Sequence, residues 1–159
     1  MATLRGRVAS VNTSPGGVPK LPVAEAWVGT RGLAGDAHTE PEPSHGGPDK
    51  AVSLYALESI ARVASDGHTA FPGAFGENLT LEGIEMGDLE PGERLAIGED
   101  GLVIEIVDHA QPCQTIAHWF KRRRIARISG RIHPADARWY ARVLAEGTVR
   151  PGDAVRSVR

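Results

Sequence analysis

Hydrophobic and polar positions alternate most regularly around residues 94–107. Arg94 to Ile97 and Leu102 to Val107 are short runs in which Leu102, Ile104 and Ile106 alternate with Val103, Glu105 and Val107. They are separated by Gly98-Glu99-Asp100-Gly101, so the pattern predicts a β-hairpin. A Pro-Gly pair at Pro91-Gly92 suits the central positions of a type II turn leading into it, and Arg150-Pro151-Gly152-Asp153 repeats that signal ahead of a closing strand, Ala154 to Val158. Leu4 to Asn12 mixes β-branched and small residues without a helical stripe and ends at Thr13-Ser14-Pro15-Gly16-Gly17, which predicts a first strand and a loop. Val23 to Val28 predicts a second strand by alternation.

Helical spacing is confined to two places. Leu54, Leu57, Ile60, Ala61 and Ala64 recur at helical intervals, with Glu58 and Arg62 on the polar side and Asp66-Gly67 as a stop. The opening of this segment, Ala51 to Tyr55, fits a short strand equally well. Thr115 to Ile128 is basic and predicted helical, and Trp139 to Val149 fits helix or strand. After Phe71-Pro72-Gly73, the segment Gly76-Glu77-Asn78-Leu79-Thr80 predicts a turn and the start of a strand. Many short strands, glycine-rich turns and one or two helices predict a mainly β fold, barrel-like or sandwich-like, over a single domain spanning 1–159.

Composition narrows the class. The 159 residues are 41% hydrophobic and 24% charged, with a net charge of -2. A chain of this length buries roughly 70% of its unfolded surface. No stretch approaches a membrane span of about 20 apolar residues, and no broad positive field draws the chain to nucleic acid. The run Lys121-Arg122-Arg123-Arg124 would splay over different faces of a helix, as a solvated or phosphate-facing rim. Neither nucleic acid nor membrane is expected as a partner, and a cytoplasmic location is expected.

Candidate chemistry gathers in loops. Cys113 is the sole cysteine and carries no internal disulfide. It follows Pro112 in a stiff turn at a strand end, where a thiol can be core filler, nucleophile, sulfur carrier or soft metal ligand. Gly29 to Lys50 is a long polar connection holding Asp36, His38, His45, Gly46, Gly47, Asp49 and Lys50. Its glycines allow close backbone approach to a ligand, while the separation of His38 from His45 matches no standard zinc spacing. Lys20 and Arg31 are cations on glycine-flanked loops that could meet a phosphate.

In this order, GVPKLPV, GLAGDAH, HGGPDKAVSLY, GAFGENLT, PGERLAIG, the cysteine in QPC and ARVLAEGTVRPGDAV resemble a stand-alone MOSC domain, the module named after the C-terminal part of molybdenum cofactor sulfurases. The resemblance runs from Lys20 to Val155. It implies a β-barrel-like fold and a molybdenum cofactor (molybdopterin), with Cys113 as metal ligand or sulfur carrier and Asp36 and His45 beside it in catalysis. Gly46, Gly47, Asp49, Lys50, Glu77 and Asn78 would line the pocket, with Lys20 and Arg31 toward the cofactor phosphate. The implied activity is reduction of N-hydroxylated compounds or sulfur transfer, with a separate electron or sulfur donor protein and a small-molecule substrate or the pterin as partners. A non-catalytic module holding a small anion or a partner protein is the alternative. One departure stands out: the family often has an arginine ahead of the cysteine in the pattern R-x-P-C, and Ala110 holds that place here.

Overall fold

The alternation along β7 (Arg94–Ile97) and β8 (Leu102–Ala110) is realised as an antiparallel hairpin, with Leu95 opposite Ile104 and Ile97 opposite Leu102. These four side chains are fully buried. The structure is a computed structural model that describes residues 3–37 and 47–158. Its other strands are β1 (Arg5–Thr13), β2 (Leu21–Pro22), β3 (Ala26–Gly29), β4 (Gly32–Leu33), β5 (Val52–Ala56), β6 (Leu79–Glu82), β9 (Arg138–Ala145), β10 (Gly147–Val149) and β11 (Ala154–Val158), and α1 covers Leu57–Ser65.

Seven strands close into a barrel in the order β1, β11, β7, β8, β9, β5, β6 and back to β1. Closure pairs the backbone groups that an open sheet would leave at its edges. β5 and β6 pair in parallel and the other neighbours in the ring are antiparallel. A parallel pair needs a crossover, and α1 lies within the connection that provides it. β2 pairs with the far end of β1, and β10, β3 and β4 form a separate small sheet. The expected mainly β, barrel-like fold is therefore what forms.

Both Pro-Gly turns form as expected. Gly92 and Gly152 each have φ of 91°, the left-handed value a type II turn requires at its third position. Each turn closes with a backbone hydrogen bond, Glu93 N–H to the Glu90 carbonyl and Asp153 N–H to the Arg150 carbonyl, both 3.1 Å.

Elsewhere the expectations need correction. The opening left between strand and helix at Ala51 to Tyr55 resolves as the strand β5, to which Leu54 belongs, and every residue of β5 is buried. A strand buried on both faces does not alternate, so its apolar run imitates helical spacing. α1 begins at Leu57, packs through Ile60 and Val63, and ends at the predicted Asp66-Gly67 stop. The strand expected over Val23–Val28 is confined to β3, and Val23 instead donates its N–H to the Val11 carbonyl. The segment 115–128 is not an α-helix. It forms three short 3₁₀ turns, Gln114–Trp119, Lys121–Arg123 and Ile125–Ile128. The left-handed backbone of Arg122 and Arg123 interrupts it, while Ile116, Phe120 and Ile128 anchor it to the core. Tertiary anchoring overrides the helix propensity of arginine and alanine. Trp139–Val149 resolves as two strands, β9 and β10.

Gly73 shows how tightly the barrel fits its connections. With φ of 87°, it sits so close to the Lys20 carbonyl that an added Cβ would overlap the oxygen. Gly101 has a similar φ of 84° with nothing near its missing Cβ. Gly101→Ala should cost about 1 kcal/mol, the backbone term alone. Gly73→Ala should cost about 3 kcal/mol or more by adding the overlap. Thermal unfolding of the two variants measures the difference, and equal losses would refute the packing argument.

Candidate functional site

Cys113 lies where β8 leaves the barrel. Along β8, Ile106 pairs with Ala141 and Asp108 with Tyr140, so Val107 is an extra residue forming a β-bulge. Bulges re-aim the side chains that follow them, and Asp108, which strict alternation would turn inward, is exposed. Beyond Ala110 the chain turns through Gln111-Pro112-Cys113 into the 3₁₀ turn at Gln114–Trp119. Cys113 is partly exposed, and its Sγ lies 2.7 Å from Thr115 Oγ1.

A cleft of about 470 Å³ opens here, lined by Asp49, Lys50, Asp108, His109, Cys113 and Tyr140 together with Val107, Gln111 and Pro112. The Lys50 ammonium lies 5.4 Å from the centre of the Tyr140 ring, within cation–π range. Burial pushes the Tyr140 phenol above its ordinary value, with the charge of Cys113 adding to the shift and Arg138 opposing it. The phenol therefore stays protonated at neutral pH. His109 stacks on Trp139 with ring centres 3.8 Å apart, and its Nδ1 is buried without a hydrogen-bond partner. Trp139 is itself fixed by a 2.9 Å bond from its indole N–H to the Met86 carbonyl.

Arg138 sits beneath the cysteine turn, 6% exposed. Its guanidinium donates to the carbonyls of Gln111 at 3.3 Å and Ala110 at 3.5 Å, and through its other terminal nitrogen to the Phe75 carbonyl. It thereby ties the segment before Cys113 to the segment before Glu77 and Asn78.

Four other predicted site residues, Lys20, Asp36, Glu77 and Asn78, form a second, buried cluster. Lys20 Nζ contacts Asp36 Oδ2 at 2.6 Å, with both side chains almost wholly buried. Asp36 also accepts from Asn78 Nδ2 at 2.9 Å and from the Ser14 N–H at 2.9 Å. Asn78 Oδ1 accepts the Ser53 N–H at 3.1 Å. Glu77 Oε2 accepts from the Gly73 N–H at 3.1 Å and from Thr80 Oγ1 at 3.0 Å, while Oε1 is buried with no partner. Lys20 therefore spends its charge on Asp36, and Asp36, Glu77 and Asn78 pin loops to strands; none of the four lines the cysteine cleft. Arg31 is exposed in the turn between β3 and β4 and lies outside the cleft lining. Gly47 is buried beside Pro48. His38, His45 and Gly46 lie outside the described residues.

Of the predicted residues, the structure brings Asp49, Lys50 and Cys113 together. His109, Tyr140 and Arg138 join them without any sequence signal of their own. They reach the site through the β8–β9 register, which pairs Asp108 with Tyr140, His109 with Trp139 and Ala110 with Arg138. No local motif marks that pairing. Among the described residues no cluster of three or more His, Cys, Asp or Glu side chains could hold a metal ion, and no helix is long and apolar enough to cross a membrane.

The structure is thus a closed β-barrel with a single cysteine at a strand end, set in a small polar cleft. The MOSC domain family model matches residues 41–156, and the chain belongs to the MOSC domain family, which is associated with molybdenum cofactor proteins. It is 32% identical over 121 residues to the uncharacterized protein YflK of Bacillus subtilis, covering 69% of this chain and 48% of that protein. It is 29% identical over 140 residues to protein YiiM of Escherichia coli, covering 85% of this chain and 60% of that protein. The chain thus spans about half to three-fifths of the length of these relatives. Among solved structures, YiiM from Geobacillus stearothermophilus superposes with a TM-score of 0.74 at 26% identity, covering 97% of this chain and 75% of that one. The YUAD protein from Bacillus subtilis shares the fold with a TM-score of 0.81 at 13% identity, covering 98% and 97%.

Glu77 should make stability depend on pH. Burial pushes its carboxyl above the ordinary carboxylate range, although bonds from Gly73 and Thr80 oppose the shift. With the folded pKa raised, this stabilising contribution is complete below the unfolded pKa and is lost as pH rises through the folded one. Glu77→Gln, which cannot ionise, should lack that loss. Urea midpoints of the wild type minus those of the variant should therefore fall as pH is raised from the carboxylate range toward neutrality; a constant difference would show that Glu77 does not titrate in the folded protein.

Proposed function

We propose that this protein holds a molybdenum-bearing pterin cofactor at the Cys113 cleft, with the Cys113 thiolate as a ligand to the metal, in support of reducing small N-hydroxylated compounds. The observation that carries this reading is the donor set gathered around Cys113. A soft sulfur suits molybdenum, and Lys50 supplies a cation for an anionic ligand. Two carboxylates share the cleft: Asp49 lies 3.3 Å from Nε of Arg142, whose side chain also pairs with Glu105, and Asp108 accepts the His109 main-chain N–H at 2.7 Å. The sulfur and the Lys50 cation are the features of this lining that suit an anionic, metal-bearing group.

When bound, the cofactor would supply a two-electron redox centre that no side chain provides. The chain's own residues supply the setting. Thr115 Oγ1 lies 2.7 Å from the sulfur and holds it in place. Tyr140 keeps its proton and forms part of the cleft wall. The Trp139 stack fixes the plane of the His109 ring, and Arg138 fixes the carbonyls of the turn so that the thiol stays at the cleft mouth. Electrons would come from a separate donor protein. The family arginine absent at position 110 is not replaced by Arg122, which lines a different cleft; the cation in this one is Lys50.

Protein produced in a host that makes molybdenum cofactor should carry molybdenum and pterin. Cys113→Ser should lose the metal while keeping its melting temperature within about 2 °C, since partly exposed sites contribute little to stability. Elemental analysis and pterin fluorescence read this directly. Metal retained in the variant would remove Cys113 as ligand, and its absence from both proteins would favour a binding module for a small anion.

A further inference from the structure

A second cleft, of about 700 Å³, lies between the turn after α1 and the basic segment at 121–127. It shares no lining residue with the Cys113 cleft. Lys121, Arg122, Arg123 and Arg124 all line it and are all exposed. Among the described residues none of these four side chains pairs with a carboxylate, and the polar contact made by one of them is Arg123 Nη2 to Gln114 Oε1 at 3.4 Å. The one acid in the lining, Asp66, is already engaged by Arg127 Nε at 2.7 Å, and Arg127 is also held by Asp136 at 2.9 Å.

The backbone gathers these charges at a conformational cost. Arg122 and Arg123 stand at φ of 56° and 55°, a region L-residues other than glycine and asparagine seldom enter. The Lys121 N–H donates to His68 Nδ1 at 3.1 Å, fastening the segment to the far wall of the cleft. Four uncompensated cations of like sign around one concavity repel each other, and a bound anion would relieve that repulsion. Guanidinium forks match phosphate oxygens in pairs.

We infer that this cleft binds a compact, multiply charged phosphate-bearing small molecule, for which inorganic pyrophosphate is the minimal probe. A long polyanion fits less well, because the chain as a whole carries a net charge of -2 and offers no broad positive field. The inference stands independently of the cofactor at Cys113.

His68 reports on the site. Burial lowers its pKa, the charges of Arg127 and Lys121 lower it further, and Asp66 opposes them; His133, Arg122, Arg123 and Arg124 complete the ionisable lining. An anion in the cleft cancels part of the positive field and should move the His68 titration upward. Calorimetry at low ionic strength should show saturable pyrophosphate binding to the wild-type protein. Arg122→Gln/Arg124→Gln should weaken it by at least about tenfold, because the double variant cannot form two of the charge-assisted hydrogen bonds to phosphate, with an unchanged circular dichroism spectrum. The His68 resonance, assigned by its disappearance in His68→Gln, should titrate at higher pH with pyrophosphate present. No saturable binding, equal affinity in the double variant, or sulfate binding as tightly at matched ionic strength would each overturn the inference. So would a single-stranded oligonucleotide binding more tightly than pyrophosphate, which would make the cleft part of a nucleic-acid surface.

Discussion

The geometry around Cys113 depends on Arg138. A guanidinium 6% exposed and held by main-chain carbonyls is an expensive object, because a buried cation loses its hydration and needs oxygen partners on every side it can reach. Here three carbonyls serve the two terminal nitrogens while Nε is buried without a partner, and the carbonyls belong to two segments far apart in sequence: Ala110 and Gln111 before the cysteine, and Phe75 before Glu77. Removing the cation would leave those oxygens facing each other in the interior. The family resemblance predicts an arginine at position 110. The β8–β9 register pairs Ala110 with Arg138, so a guanidinium reaches the same turn from the neighbouring strand. It acts there on the backbone, which sets the position of the thiol, and Lys50 provides the charge inside the cleft.

The second cluster answers a different need. Lys20 and Asp36 form an ion pair with side chains 5% and 4% exposed, and a buried pair of this kind adds little net stability although breaking it is costly. Its effect is specification: the pair, with Asn78 and the Ser14 N–H, fixes the loop after β1 and the loop after β4 against the start of β6. A lysine, an aspartate and an asparagine on glycine-rich loops look the same in sequence whether they meet a ligand or each other. Burial decides between these outcomes, and Lys20 and Asp36 are turned toward each other.

That ambiguity sets the limits of what could be read from the residues. The β7–β8 hairpin, the two Pro-Gly turns and the first and last strands were legible because each rests on local rules: alternation of period two, and a glycine where φ must be positive. β5 stayed open between strand and helix because it is buried on both faces, and the 114–128 segment was obscured by core anchors at Ile116, Phe120 and Ile128 that break a helix its composition favours. Within the site, Cys113, Asp49 and Lys50 could be named because they stand in recognisable stretches. Tyr140, His109 and Arg138 could not, since their places follow from a pairing between strands whose ends, Ala110 and Arg138, are joined by 27 intervening residues, and from a bulge at Val107 that no residue type announces.

The bulge also bears on how a closed barrel carries two unlike clefts on one connection. A barrel has no free edges, so every departure from its ladder must be absorbed by a local irregularity. On β8 the extra residue at Val107 turns Asp108 and His109 out of the regular phase and leads the chain off the rim at Ala110. The polypeptide then needs a long excursion before β9 can pair back, and the 3₁₀ turns from Gln114 to Ile128 are that excursion. Its first residues carry the thiol, and its middle carries the arginines with left-handed backbone. Gln114 joins the two, next to Cys113 in the chain and bonded to Arg123. Both clefts are thus built on one excursion, pinned at its start by Arg138 and toward its end by Arg127.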